Sequence, residues 1–193
     1  FCNSIDSYIK SCSHIEDNYY LNNFVSNFND LKNNKSLIIK KGIQYINSNQ
    51  LPDKSVDLII TDPPYLGQVP YSEYMQLYQA FLENDIDYDN EIIITNAKNR
   101  KKDYDNYLYL MNEAFKNISR VLKQNSYMFL YFHDSSLTVW NDLIKIFNKN
   151  DLIFQTSIHI LKNKKTLKKI LDPKKTMNGE TLLIFKKKKF KPV

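Results

Sequence analysis

A chain of 193 residues with 42% hydrophobic and 25% charged side chains can fold as one ordinary domain around its own core. No apolar run approaches the roughly 18 residues that cross a bilayer, and the opening residues do not read as a signal peptide, so no membrane partner is expected. Lysine and arginine outnumber aspartate and glutamate by 27 to 21, a net charge of +6, which suits a polyanionic partner without establishing one.

Residues 1–34 are polar, with Ile5, Tyr8, Ile9, Cys12, Ile15, Tyr19, Leu21, Phe24, Val25 and Phe28 at near-helical spacing. One or two helices are expected there, ahead of a unit over 35–193. Cys2 and Cys12 are the only cysteines, and His14, His133 and His159 are scattered. A disulfide framework or a metal site is therefore not expected, and a reducing, cytoplasmic compartment is. Because the chain opens on Phe1 and not on Met, it reads as a piece or processed form of a longer polypeptide.

A strand is expected over 36–40, then a turn at Leu51-Pro52-Asp53-Lys54. Val56-Asp57-Leu58-Ile59-Ile60-Thr61 is an apolar run suited to a buried parallel strand. That strand must stop at Pro63 and Pro64, which cannot donate ladder hydrogen bonds. After a tyrosine-rich segment at 71–83, Asp103 can cap a helix reaching about Lys123, with Tyr107, Leu110, Met111, Ala114, Phe115, Ile118, Val121 and Leu122 on its buried face. Residues 127–132 read as another buried strand. Ser135 or Ser136 then opens a helix burying Leu137, Trp140, Leu143, Ile144 and Phe147. Strands over 152–161 and 181–187 follow, separated by a lysine-rich loop too short of helix signal for a crossover, so they should pair antiparallel. The sequence of elements implies an α/β sheet with helices packed on it.

In open α/β sheets, ligands bind beyond the carboxyl ends of the strands. Asp62-Pro63-Pro64-Tyr65 stands at that place. From average residue usage, this tetrapeptide arises by chance in such a chain about once in a thousand. The simplest structural account is that two prolines and an aspartate end a strand in a tight turn.

The stretch from Leu51 to Tyr65 resembles the entry into the Asp-Pro-Pro-Tyr motif of the S-adenosylmethionine-dependent amino-methyltransferases, the DNA N6-adenine and N4-cytosine enzymes. The element order after it is similar to the second half of their Rossmann-like catalytic domain, including a terminal antiparallel strand. The likeness spans roughly 36–188 and is strong at 51–65. It implies methyl transfer to an exocyclic amino group, with adenine N6 in DNA favoured because Asp opens the motif, and a place in restriction-modification. RNA amino-methyltransferases acting on adenine N6 or guanine N2 share the tetrapeptide and remain open, as does a non-catalytic nucleic-acid-binding subunit.

By that resemblance, the Asp62 carboxylate and the Pro63 carbonyl accept the two N–H bonds of the target amine. The lone pair of such an amine is delocalised into the base, and two acceptors free it for attack. Pro64 stiffens the loop, Tyr65 offers a flat face to an extruded base, and Asp62 and Pro63 also border the cofactor. The stretch from Leu66 to Tyr74, with Gly67, Tyr71 and Tyr74, reads as a substrate-side loop, or else its tyrosines merely pack the following helix. His133, after the following strand, should share the sheet edge with Asp62; the rival reading is a polar turn. Lys164, Lys165, Lys168 and Lys169 suit phosphate contacts or a solvated hairpin tip.

One departure is plain. The family's glycine-rich cofactor loop has no counterpart among Gly42, Gly67 and Gly179, and Gly42-Ile43 stands where an acidic residue often contacts the cofactor. The S-adenosylmethionine half is therefore expected upstream of residue 1 or on a partner chain.

Overall fold

The computed structural model describes residues 24–32, 35–67, 69–82, 87–98, 100–132, 134, 136–161 and 179–188. In chain order these form β1 (Phe24–Val25), β2 (Ser36–Leu37), β3 (Val56–Thr61), α1 (Tyr71–Leu82), α2 (Tyr104–Val121), β4 (Leu122–Tyr131), α3 (Leu137–Lys149), β5 (Leu152–Leu161) and β6 (Gly179–Lys187), with short 3₁₀ turns at Phe28–Asp30 and Ile43–Tyr45.

The two long helices begin at side-chain caps. The Asp103 carboxylate accepts from the Asn106 amide at 2.9 Å, and the Ser136 hydroxyl accepts from Val139 at 3.5 Å, so each satisfies an amide that the first helical turn leaves open. Helix α2 stops because Leu122 turns extended, and α3 stops where Asp151 takes a left-handed φ of 60°. A second device closes α2. The Lys187 ammonium, buried at the end of β6, donates to the carbonyl oxygens of Ser119 and Leu122, two of the carbonyls that the helix end leaves without a partner. Burial pushes that lysine's pKa down.

Four strands form one mixed sheet in the order β3-β4-β6-β5. β3 runs parallel to β4, with Ile60 opposite Phe129, whereas β6 is antiparallel to both β4 and β5. Helices α2 and α3 cover one face. There Phe115, Met128, Leu130, Leu143, Phe147 and Leu152 are at most 1% exposed, and the Phe147 ring meets Phe115 and Phe185 edge-on, both at 4.7 Å. The fold class is α/β, and the antiparallel pairing of the last two strands is as expected.

Several expectations are corrected. Residues 24, 25 and 28, spaced as in a helix, lie in a strand and a 3₁₀ turn; residues 1–23 fall outside the described residues. The strand expected over 36–40 is limited to two residues, paired parallel with β1 in a separate small sheet, and Ile38 is 66% exposed. β4 begins at Leu122, five residues early, because an irregularity between Leu122 and Tyr127 lets the chain join β3 at Val56 before the regular ladder starts. β3 is parallel but not buried: Leu58 and Ile60 are 46% and 65% exposed, since among the described residues the strand pairs only with β4 and no helix covers that face. On α3, Leu137 and Ile144 face solvent, while Val139 and Ile146 take their places in the core beside Leu143 and Phe147.

The corrected phase of α3 makes a direct prediction. Leu143→Ala removes a fully buried side chain and should cost about 2–5 kcal/mol of stability in urea unfolding, whereas Leu137→Ala, at 79% exposure, should stay within about 0.5 kcal/mol. Equal effects would put the helix in another rotation.

Candidate active site

The approach to the Asp-Pro-Pro-Tyr loop is fastened before the loop begins. The Arg120 guanidinium, at the end of α2, donates to the carbonyls of Ile46 and Leu51, both at 3.0 Å, and to the Asp53 carboxylate at 2.6 Å. In return the amides of Lys54 and Ser55 donate to the carbonyls of Arg120 and Val121 at 3.0 and 2.9 Å. The hydrogen bonds from Arg120 and Ser48 hold the Asp53 carboxyl below its ordinary range. Leu51-Pro52-Asp53-Lys54-Ser55 is thus the splice between α2 and β3, and it sets where β3 enters the sheet.

Beyond Thr61 the ladder ends and the chain turns at Asp62-Pro63-Pro64-Tyr65. Asp62 is exposed, and Pro63, Pro64 and Tyr65 are half-buried. The Tyr65 hydroxyl donates to Oδ1 of Asp62, while Oδ2 has no hydrogen-bond partner among the described residues. The Tyr65 ring stands against Phe132, centroids 5.2 Å apart at 70°, and Phe132 stands against Trp140 at 5.1 Å and 89°. The carboxyl ends of β3 and β4 therefore meet, as parallel neighbours should. Beneath the loop, Tyr107 of α2 is fully buried and its hydroxyl donates to the Pro64 carbonyl at 2.8 Å. Burial, opposed by a backbone hydrogen bond from Leu66, pushes its pKa up to about 12, so it stays a protonated donor.

After Tyr65 the chain reverses. Leu66 takes a left-handed φ of 48°, and its carbonyl accepts from the Ile94 amide at 3.2 Å. A Cβ added to Gly67 would lie 2.7 Å from the Ile94 carbonyl oxygen, so this glycine is required by a backbone approach. Helix α1 is locked at its start: the Ser72 amide and hydroxyl donate to the Glu91 carboxylate at 2.9 and 2.6 Å, and Arg100 bonds both Ser72 and Glu73. Tyr71, Tyr74 and Tyr78 are left 58–65% exposed along that helix.

The structure thus joins Asp62, Pro63, Pro64, Tyr65 and Gly67 in one loop and sets Tyr71 on the helix that follows. His133, Lys164, Lys165, Lys168 and Lys169 lie outside the described residues. Asp134 serves helix entry: its carboxylate accepts from Ser136 at 2.7 Å and its carbonyl accepts from the Trp140 ring N–H at 2.9 Å. Two parts of the site were not read from the motif, Tyr107 and the Phe132–Trp140 pair. The available signal for Tyr107 was a tyrosine on the buried face of a helix, since a buried phenol needs a partner.

The described residues do not build a cradle for S-adenosylmethionine. Gly67 is used up by its approach to Ile94, a Cβ at Gly42 would meet only the flexible Gln44 side chain, and no described glycine has the positive φ of a phosphate- or nucleotide-binding turn. No group of three or more His, Cys, Asp or Glu among the described residues is placed to hold a metal ion.

Gly67→Ala tests the close approach. The substitution should lower stability by about 1–3 kcal/mol in urea unfolding as the loop or Ile94 is forced aside. An unchanged midpoint would mean that the loop does not rest on Ile94.

Among solved structures, the chain is similar to a putative DNA modification methylase from Thermus thermophilus, at 14% identity over 79% of this chain and 55% of that one, with a TM-score of 0.41. It is also similar to the PvuII DNA methyltransferase (cytosine-N4-specific), at 14% over 73% and 45% with a TM-score of 0.44. A third is a SAM-dependent methyltransferase from Methanosarcina mazei, at 9% over 84% and 72% with a TM-score of 0.41. Likeness of this degree carries no weight for function, and the chain spans about half the length of the first two. No curated protein matches. The family model described as DNA methylase matches residues 56–192, from the first residue of β3 through β6, so the chain belongs to the N6/N4 DNA methylase family.

Proposed function

We propose that this chain is the target-base half of an S-adenosylmethionine-dependent DNA amino-methyltransferase, acting on adenine N6 in a restriction-modification setting. The observation that carries the reading is the exposed Asp62 carboxylate at the carboxyl end of β3, beside two prolines and Tyr65, in a member of the N6/N4 DNA methylase family. Adenine is preferred to cytosine because Asp opens the motif, as it does in the N6-adenine enzymes that the stretch resembles.

The work of this half is to prepare the amine. One N–H of the extruded base meets the Asp62 carboxylate, either at Oδ2 or at Oδ1 after Tyr65 yields it, and the other meets the Pro63 carbonyl. Two acceptors at fixed positions favour a pyramidal nitrogen whose lone pair is available for attack. Because the acceptors are aimed before the base arrives, little ordering remains at the moment of reaction. Tyr65, steadied by Asp62 and Phe132, would bound the plane of the base. Gly67 and Tyr71 would border the strand from which the base is turned out. The sulfonium cofactor, when bound, supplies the methyl group.

The cofactor half is proposed to come from chain outside these residues or from a partner. It would complete a Rossmann-like sheet by pairing with the outer edge of β3 and covering Leu58 and Ile60. An apolar parallel strand with, among the described residues, one neighbour and one bare face is the surface such a unit would bury. Calorimetry tests this: the 193-residue chain should show no S-adenosylmethionine binding at micromolar concentrations, and micromolar affinity would sink it.

In a polypeptide that includes the cofactor half, Asp62→Ala should lower methyl transfer to duplex DNA by about 100-fold or more while cofactor affinity changes little. Mass spectrometry of the product should find N6-methyladenine. Retained turnover in the variant, or N4-methylcytosine as the product, would overturn the mechanism or the base assignment respectively.

A further inference from the structure

We infer that Tyr107 is the positioning residue of this site, a buried phenol on α2 that holds the Pro64 carbonyl and thereby aims the Pro63 acceptor. The inference rests on the function proposed above for its consequence, but on geometry alone for the contact.

The chain between the last β3 residue and Tyr65 has few torsions left. The rings of Pro63 and Pro64 fix two φ angles, leaving mainly the backbone of Asp62 and the ψ angles of the two prolines. β3 holds the upstream end through its ladder to β4. At the downstream end, the Tyr107 hydroxyl bonds the Pro64 carbonyl at 2.8 Å and fixes the plane of the Pro64–Tyr65 peptide. With both ends held, the Pro63 carbonyl has one direction to point in.

Tyr107 is suited to this task because it is closely packed. It is 0% exposed, and its ring stacks on Tyr104 at 6.4 Å and 14°. Tyr104 in turn donates to the Asp142 carboxylate of α3 at 3.1 Å, while its ring alone makes the stacking contact with Tyr107. A phenylalanine fits the same space, but it would leave the Pro64 carbonyl without this donor. The loss is local to the loop and leaves Asp62 itself untouched. Tyr107 therefore acts on the reacting amine only through the carbonyl it aligns.

Two measurements on Tyr107→Phe test the inference, with Tyr104→Phe as the comparison that removes a hydroxyl bond on the same helix without touching the loop. In the 193-residue chain, hydrogen exchange at the amides of Tyr65, Leu66 and Gly67 should rise about tenfold in Tyr107→Phe, with exchange in β4 unchanged and little loop effect in Tyr104→Phe. Equal protection of the loop in wild type and Tyr107→Phe would overturn the contact. In the polypeptide that includes the cofactor half, Tyr107→Phe should lower kcat at least tenfold with KM for DNA within about threefold. An unchanged kcat would overturn the positioning role. A wild-type polypeptide without turnover would sink the proposed function, while the exchange result would still decide whether Tyr107 holds the loop.

Discussion

Two consecutive pyrrolidine rings at the end of β3 remove the freedom with which a strand normally passes into a loop, and the candidate site depends on that stiffness. A flexible loop would have to be ordered each time a base arrived, at about 1–2 kcal/mol for each residue fixed. Here the ordering is done during folding. Arg120 and the turn at 51–55 set the entry of β3, the ladder to β4 sets its direction, and Leu66 and Gly67 close the loop against Ile94. An exposed carboxylate is left at the corner, steadied by its own neighbour Tyr65.

The core and the site lie on one continuous stack of side chains. Tyr65 touches Phe132, Phe132 touches Trp140, and Trp140 bonds the turn at Asp134 that starts α3. Tyr107 joins the loop to α2, and Tyr104 joins α2 to α3. Packing of this kind transmits displacement, because a close-packed interior has little room to absorb it. Substitutions that remove a ring from this stack should therefore register at the acceptors, whereas changes on the outer face of α3 should not.

Much of this could be read from the residues. The caps at Asp103 and Ser136, the buried stripe of α2 and the antiparallel end of the sheet each follow from a local rule, and the loop at 62–65 announced itself by composition and place. Misreadings arose where the answer depends on neighbours. The run Val56 to Thr61 has the composition of a buried strand, yet burial is decided by what lies beside it, and among the described residues β3 has only β4 there. Leu137 and Ile144 share the apolar character of Leu143, and only the rotation of α3 against the sheet distinguishes them. Tyr107 was legible as core, but its hydroxyl bond to a residue 43 positions earlier in the chain is a tertiary fact.

The central claim is that the Asp62 carboxylate and the Pro63 carbonyl together receive the target amine. The most direct measurement is a structure of the polypeptide that includes the cofactor half, bound to duplex DNA and a non-reactive cofactor analogue. The target base should be turned out of the helix, with its exocyclic nitrogen within hydrogen-bond distance of both oxygens and its ring bounded by Tyr65. A base that remains stacked, or that binds with its amino group directed away from Asp62, would contradict the account.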